Sequence, residues 1–179
     1  MSIKKEFLEV IKTQREVGKK EKFEGTFLDY LELVQNDPSI VKTGHQRLYD
    51  ALVKHGFESM EDSDPRKSRV FDNDNIKVYD YFKDHFFGME KVVMKIMRFL
   101  KSAAHRGEES RQVLLLMGPV GAGKSALTEH IKRGLEGESY YHLDGDPQRG
   151  EPLQLIPRSL RDTFSDKLGV NIDGDISPV

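Results

Sequence analysis

The chain contains no cysteine. Disulfide frameworks and thiolate zinc sites are therefore excluded. It has no uncharged apolar run approaching the ~20 residues that a membrane-spanning helix needs. Its first residues, Met1-Ser2-Ile3-Lys4-Lys5, lead into mixed charge and not into the apolar centre of a signal peptide. A cytoplasmic protein without membrane contact is the expectation. Charge of one sign is lacking too. Lys and Arg total 28 against 30 Asp and Glu, a formal net charge of −2. No basic excess argues for nucleic acid as an obligatory partner. No internal repeat is present.

The chain does have 179 residues, 37% of them hydrophobic and 32% charged. That length suffices for one domain, or for a helical segment plus part of a second. Its most specific stretch is Gly118-Pro119-Val120-Gly121-Ala122-Gly123-Lys124-Ser125. This fits G-x-x-x-x-G-K-[ST], the phosphate-binding loop. Glycines let the backbone turn tightly and bring N–H groups against phosphate oxygens. Lys124 is placed for the β- and γ-phosphates, and the Ser125 hydroxyl for Mg²⁺. The helix that follows aims its first N–H groups, through Ala126, at the same anion.

The flanks agree with the motif. Gln112-Val113-Leu114-Leu115-Leu116-Met117 reads as a buried parallel strand. Lys124 to Leu135 lacks proline and repeats Leu127, Ile131 and Leu135 on one helical face. An ordinary glycine turn between strand and helix is the alternative.

Elsewhere the chain reads as mostly helical. Residues 1–22 suggest a charged helix or a mobile arm. Thr26 caps a helix with Phe27, Leu28, Leu31 and Val34 on its apolar face, ended by Asn36-Asp37-Pro38. Thr43 and Gln46 have capping-box spacing, and Gly56 closes that helix. Glu61 to Ser68 reads as a linker or exposed loop. Asn73 to Asn75 suggests a turn, and Ile76, Val78 and Tyr79 a short strand. Met89, Val92, Val93, Ile96, Phe99 and Leu100 define a strong amphipathic helix. Tyr140-Tyr141-His142-Leu143 reads as a second short strand, and the segment from Pro157 as helical.

One expected part is missing. A P-loop ATPase normally has an apolar strand ending in Asp or Asp-Glu that positions Mg²⁺ and the attacking water. Leu143-Asp144 is the nearest candidate, and the next strand of the sheet is the preferred reading for it. The chain is expected to be the N-terminal part of a longer protein. His142, Asp144 and Asp146 match a cation site by type, but an Asp-rich turn is preferred. His45 and His55 read as solvated, and so do Arg158 and Arg161.

These motifs together carry a resemblance. Phe86-Phe87-Gly88-Met89-Glu90, the helix to Leu100 and the run Leu114 to Ser125 resemble an AAA-type ATPase module. Thr26 to Leu31, His45 to Asp50 and Leu155-Ile156-Pro157 are similar to the N-terminal region of PrkA-type bacterial serine protein kinases. The resemblance runs from about residue 20 to the end. It implies ATP with Mg²⁺ as ligand and puts Phe87, Gly88 and Met89 near the base. It implies a protein substrate or partner for the parent protein. AAA modules often act as rings, so it also implies self-association. No H-R-D, D-F-G or V-A-I-K motif is present, so kinase chemistry is not located in these residues.

The expected fold is α/β: a partial, AAA-like P-loop parallel sheet with flanking helices, preceded by a small helical region. The expected divisions are a helical region at 1–60, a linker at 61–75 and a nucleotide-binding domain at 76–179. The expected nucleotide contacts are Gly118, Pro119, Val120, Gly121, Ala122, Gly123, Lys124, Ser125 and Ala126. Lys124 is the expected catalytic group and Ser125 the metal ligand. The alternatives are a module that remodels a protein partner and a non-catalytic nucleotide-binding or interaction fragment.

Overall fold

The computed structural model describes residues 23–71 and 74–175. The expected helix or arm at 1–22 lies outside them, as does Asn73 of the expected turn. Helix α1 (Phe27–Asn36) opens with a capping box. The Asp29 carboxylate accepts from the Thr26 N–H at 2.7 Å, while the Thr26 hydroxyl oxygen accepts from the Asp29 N–H at 3.3 Å. The helix ends where Asp37 caps a short 3-10 turn at Pro38–Ile40. Helix α2 (Gly44–Val53) has the second capping box, between Thr43 and Gln46. Gly56 follows it in the left-handed region, at φ +92°.

Strand β1 (Phe57–Ser59), helix α3 (Pro65–Arg69), strand β2 (Lys77–Tyr79) and the short helix α4 (Asp80–Lys83) come next. β1 and β2 pair antiparallel in the register Phe57↔Tyr79, Glu58↔Val78, Ser59↔Lys77. Then follow α5 (Glu90–Ala104), α6 (Lys124–Arg133) and α7 (Arg161–Leu168).

The chain divides into two compact units. One is Lys42–Ser139. Its core joins Leu52 of α2, Phe82 and Phe86, the α5 face Val93, Ile96, Met97 and Leu100, and Leu127 of α6. The buried α5 positions keep i, i+3, i+4, i+7 spacing, while Val92, read from the sequence as part of that face, is 43% exposed. A smaller cluster under the hairpin holds Met60, Phe71 and Ile76.

The other unit joins the segment ending at Val41 to the segment starting at Tyr140. Its core is Tyr30, Val34, Leu153, Ile156 and Ile172. Arg161 holds it together, contrary to its reading as a solvated surface residue. Its guanidinium donates to the carbonyls of Ile156 (3.0 Å), Gly174 (2.7 Å) and Gln154 (3.2 Å). A fork of rigid donors suits several backbone acceptors at once, here on both sides of α7 in sequence. Arg158 is exposed, as expected, and pairs with Asp175.

Two expected strands are not formed. Residues 113–117 have no regular secondary structure and no ladder covers them; the paired strands among the described residues are β1 and β2. Val113, Leu115 and Met117 are 91%, 72% and 84% exposed, while Leu116 packs against the core. Tyr140–Leu143 is likewise not a strand. A strand needs a neighbour for its N–H and C=O groups, and an apolar sequence alone does not supply one. The expected parallel sheet is thus not present among the described residues. No helix among them is long and apolar enough to cross a membrane.

Candidate functional site

The glycine loop connects the apolar segment 113–117 to α6. Gly121 has φ +82° and Gly123 φ +76°, both in the left-handed region. Only glycine enters that region freely, so these two glycines sit where the backbone turn demands them. Gly123 is the N-cap residue of α6, and no side chain caps the helix. The first N–H groups of a helix lack intrahelical acceptors. Here they lie in the stretch that follows two left-handed glycines.

Lys124 opens α6. Its ammonium donates to the carbonyls of Gly118 (2.8 Å) and Pro119 (2.7 Å), closing the loop on itself. Ser125 and Ala126 are exposed at the helix start, and Val120 is fully exposed at the loop tip. The Ala122 N–H donates to the Pro119 carbonyl at 3.3 Å. Every residue of the sequence-predicted loop therefore lies on one turn around the α6 N-terminus.

α6 is anchored from behind. Leu127 is buried and Ile131 packs against the same core. Tyr81 and His130 are tied twice: the Tyr81 hydroxyl donates to the His130 carbonyl at 2.8 Å, and the His130 ring nitrogen lies 2.9 Å from the Tyr81 carbonyl. Since that carbonyl can only accept, Nε2 of His130 carries the proton. Desolvation of the Tyr81 hydroxyl pushes its pKa upward. The rings of Phe82, His85 and Phe86 surround the imidazole. The motif's spacing gave no sign of this clasp, because its partners are 49 residues apart.

The turn before α5 reaches the loop. Gly88 has φ +78°, and Met89 is the N-cap residue of α5. Sδ of Met89 lies 3.7 Å from where a Cβ on Gly123 would stand. Phe87 is 78% exposed and Phe86 is buried. The structure thus brings Met89 to the glycine loop, with Phe87 two residues away on an open surface.

Asp144 belongs to the unit that starts again at Tyr140, and among the described residues no strand follows α6. Asp146 accepts from the Gln148 N–H at 3.2 Å and also from the Gly150 N–H, so it shapes a turn. His142 contacts its neighbour's carbonyl. Among the described residues, no group of three or more His, Asp or Glu side chains is placed to hold a metal ion. His55 is exposed, as expected, although its ring lies against Tyr81.

Residues 25–179 match the family model described as the PrkA AAA domain. The chain is 33% identical over 181 residues to the ATP-dependent protease PrkA of Bacillus subtilis (strain 168), covering 97% of this chain and 27% of that protein. It is 37% identical over 136 residues to the serine/threonine kinase YeaG of Escherichia coli (strain K12), covering 75% of this chain and 20% of that protein. The chain thus spans about a quarter or less of the length of these relatives. No solved structure gives a significant match. With a family model matched over most of its length, the chain belongs to the PrkA AAA domain family.

Proposed function

We propose that this chain is a nucleotide-binding module that holds ATP with Mg²⁺ on residues 118–126. The observation that carries the reading is the pair of left-handed glycines, Gly121 and Gly123, immediately before Lys124 at the start of α6. A loop of that shape points consecutive N–H groups toward one place, and the helix dipole favours an anion there. Lys124 would exchange the Gly118 and Pro119 carbonyls for the β- and γ-phosphates. That exchange replaces two neutral acceptors by charged ones, which make stronger hydrogen bonds to an ammonium.

The donor set fits Mg²⁺ in a limited way. Ser125 offers one hydroxyl oxygen. Mg²⁺ needs six oxygens and keeps several waters, so phosphate oxygens and water would complete its shell. Bound Mg²⁺ would neutralise phosphate charge. On the base side, Phe87, Gly88 and Met89 form the edge of the site, since Met89 already lies against Gly123.

The fold proposal follows from the same site. In a protein of the relatives' length, residues 113–117 would be a strand of an AAA-like parallel sheet, with neighbours covering Val113, Leu115 and Met117. The acidic group for hydrolysis would come with those neighbours. This chain by itself would then hydrolyse ATP weakly or not at all. The parent protein's chemistry would be phosphoryl transfer to a protein substrate. The relatives carry two kinds of name, a protease and a kinase, which favours a second reading. In it the module couples ATP to the handling of a protein partner. Both readings make the nucleotide site the shared part, working in the cytoplasm and in self-associated form.

The test is calorimetric titration of Mg-ATP into the chain and its Lys124→Ala variant, with phosphate release measured on the same samples. The expected result is binding that is lost or severely weakened in the variant, with little turnover in either. Unchanged affinity in Lys124→Ala would remove the central claim. Robust turnover that depends on Lys124 would show an acidic group within this chain, with Asp144 the first to replace.

A further inference from the structure

Helix α3 lies in the polar stretch that reads as a linker, and it contains a charged network aimed at the turn before α5. Asp64 caps α3 by accepting from the Arg66 N–H at 2.8 Å. The same carboxylate grips the Arg66 side chain, taking Nε at 3.1 Å and Nη2 at 2.7 Å. This fork fixes the plane of the guanidinium. The remaining arm, Nη1, donates to Oε1 of Glu90 at 2.6 Å. The guanidinium carbon stands 4.7 Å from the centre of the Phe87 ring.

Glu90 is 7% exposed, and its Oε2 is buried with no hydrogen-bond partner among the described residues. A carboxylate so placed is costly unless a cation faces it. Arg66 is the cation that does so. The bond from Asp64 raises the Arg66 pKa against the opposing effect of burial, and the nearby Glu90 charge adds to the rise. The same contact lowers the pKa of Asp64.

The geometry has a direction. Arg66 touches Phe87 and Glu90, the two residues that bracket Gly88 and Met89. Met89 is the residue that reaches Gly123. The turn is therefore held from outside at both ends, with its contact to the phosphate loop between them.

We propose that the Asp64–Arg66–Glu90 network positions the Phe87–Met89 turn, so that Arg66 sets how tightly the base, and not the phosphates, is held. Arg66 is a positioning residue, acting through Phe87 and Met89. The proposal rests on the nucleotide reading above, and its test separates the two.

The test titrates the full chain with two ligands, Mg-ATP and Mg-tripolyphosphate, the second having the phosphates without the base. The wild-type chain should bind both, ATP more tightly. In Arg66→Ala the ATP affinity should fall about tenfold, a 1.4 kcal/mol change, while the tripolyphosphate affinity stays within about twofold. Arg66→Lys keeps the charge opposite Glu90 but not the fork or the stack, and should fall between. Because Arg66→Ala leaves Glu90 buried and unpaired, Asp64→Asn serves as the second variant. Asn still caps α3, but the guanidinium loses its carboxylate anchor. It should show the same base-specific loss, smaller in size. Equal loss of both ligands in Asp64→Asn, or no loss of ATP affinity in either variant, overturns the positioning role and leaves the nucleotide site standing. A wild-type chain that binds neither ligand overturns the nucleotide reading and this proposal with it.

Discussion

Replacing Gly121 by alanine isolates one physical term of the proposed site. The residue has φ +82°, and an added Cβ would meet nothing within 4 Å. No clash is introduced, so the perturbation is backbone strain alone. Holding an alanine in the left-handed region costs about 1–2 kcal/mol. In the free chain the exposed loop can relax out of that region and avoid the cost. A bound triphosphate needs the N–H groups to converge again, so the strain returns on binding. The expected loss of Mg-ATP affinity is thus about 5–30-fold, at 1.4 kcal/mol per factor of ten.

Stability should behave differently. Gly→Ala also reduces the freedom of the unfolded chain, by about 0.4–1 kcal/mol. This offsets part of any native strain, so thermal unfolding should shift little. Asparagine tolerates the left-handed region better than alanine. Calorimetric affinities should therefore rank wild type above Gly121→Asn above Gly121→Ala, with similar unfolding temperatures. An alanine variant that binds as tightly as wild type would refute the argument that the loop's turn organises the site. So would an asparagine variant weaker than alanine.

Two further predictions concern the chain without nucleotide. Leu115→Lys, at an exposed position of the apolar segment before the loop, should change unfolding free energy by less than about 0.5 kcal/mol. It should also reduce concentration-dependent light scattering, because charge blunts an exposed apolar edge. Leu116→Ala, on the packed side, should cost about 1–2 kcal/mol in chemical denaturation, less than a fully buried leucine. The acid limb of stability should depend partly on Asp29. Its carboxyl is held below the ordinary value first by the Thr26 hydroxyl and then by the Thr26 N–H. A depressed folded-state pKa contributes stability that is complete above the unfolded value of ~3.9 and lost as pH falls through the lower one. Asp29→Asn should therefore lower stability most at neutral pH, where that contribution is complete, and flatten the pH dependence below about pH 4, which pH-resolved thermal unfolding would measure.

The parts of the fold that were legible in the sequence are those whose determinants are local. Thr26 caps α1 as read, and Thr43 with Gln46 forms the box its spacing gives, each through a side chain bonding three residues away. The α5 stripe needs only helical periodicity, and Val93, Ile96, Met97 and Leu100 are all buried. The glycine loop is likewise a local backbone pattern. The parts that were hidden depend on residues far apart. β1 pairs with β2 across 20 residues, and its own three residues are all exposed, so no alternation marked it. Arg161 and Arg66 carry charge in segments that look solvated, yet one gathers three carbonyls and the other faces a buried glutamate. Charge says where a side chain is able to be wet, and only the fold decides which acceptor it finds.

The apolar run before the loop shows the limit most sharply. Val113 to Met117 is apolar at every position, and that uniformity is the mark of a strand with both faces covered. The structure covers one face at Leu116 and leaves Val113, Leu115 and Met117 open. A ladder does not form there, because its other half must be supplied by different residues. Sequence and structure therefore describe the same segment at different levels of completion. The sequence encodes the environment the strand suits, and the structure records which side of that environment this chain provides. On that reasoning the glycine loop owes its position to α6 and its clasp with Tyr81.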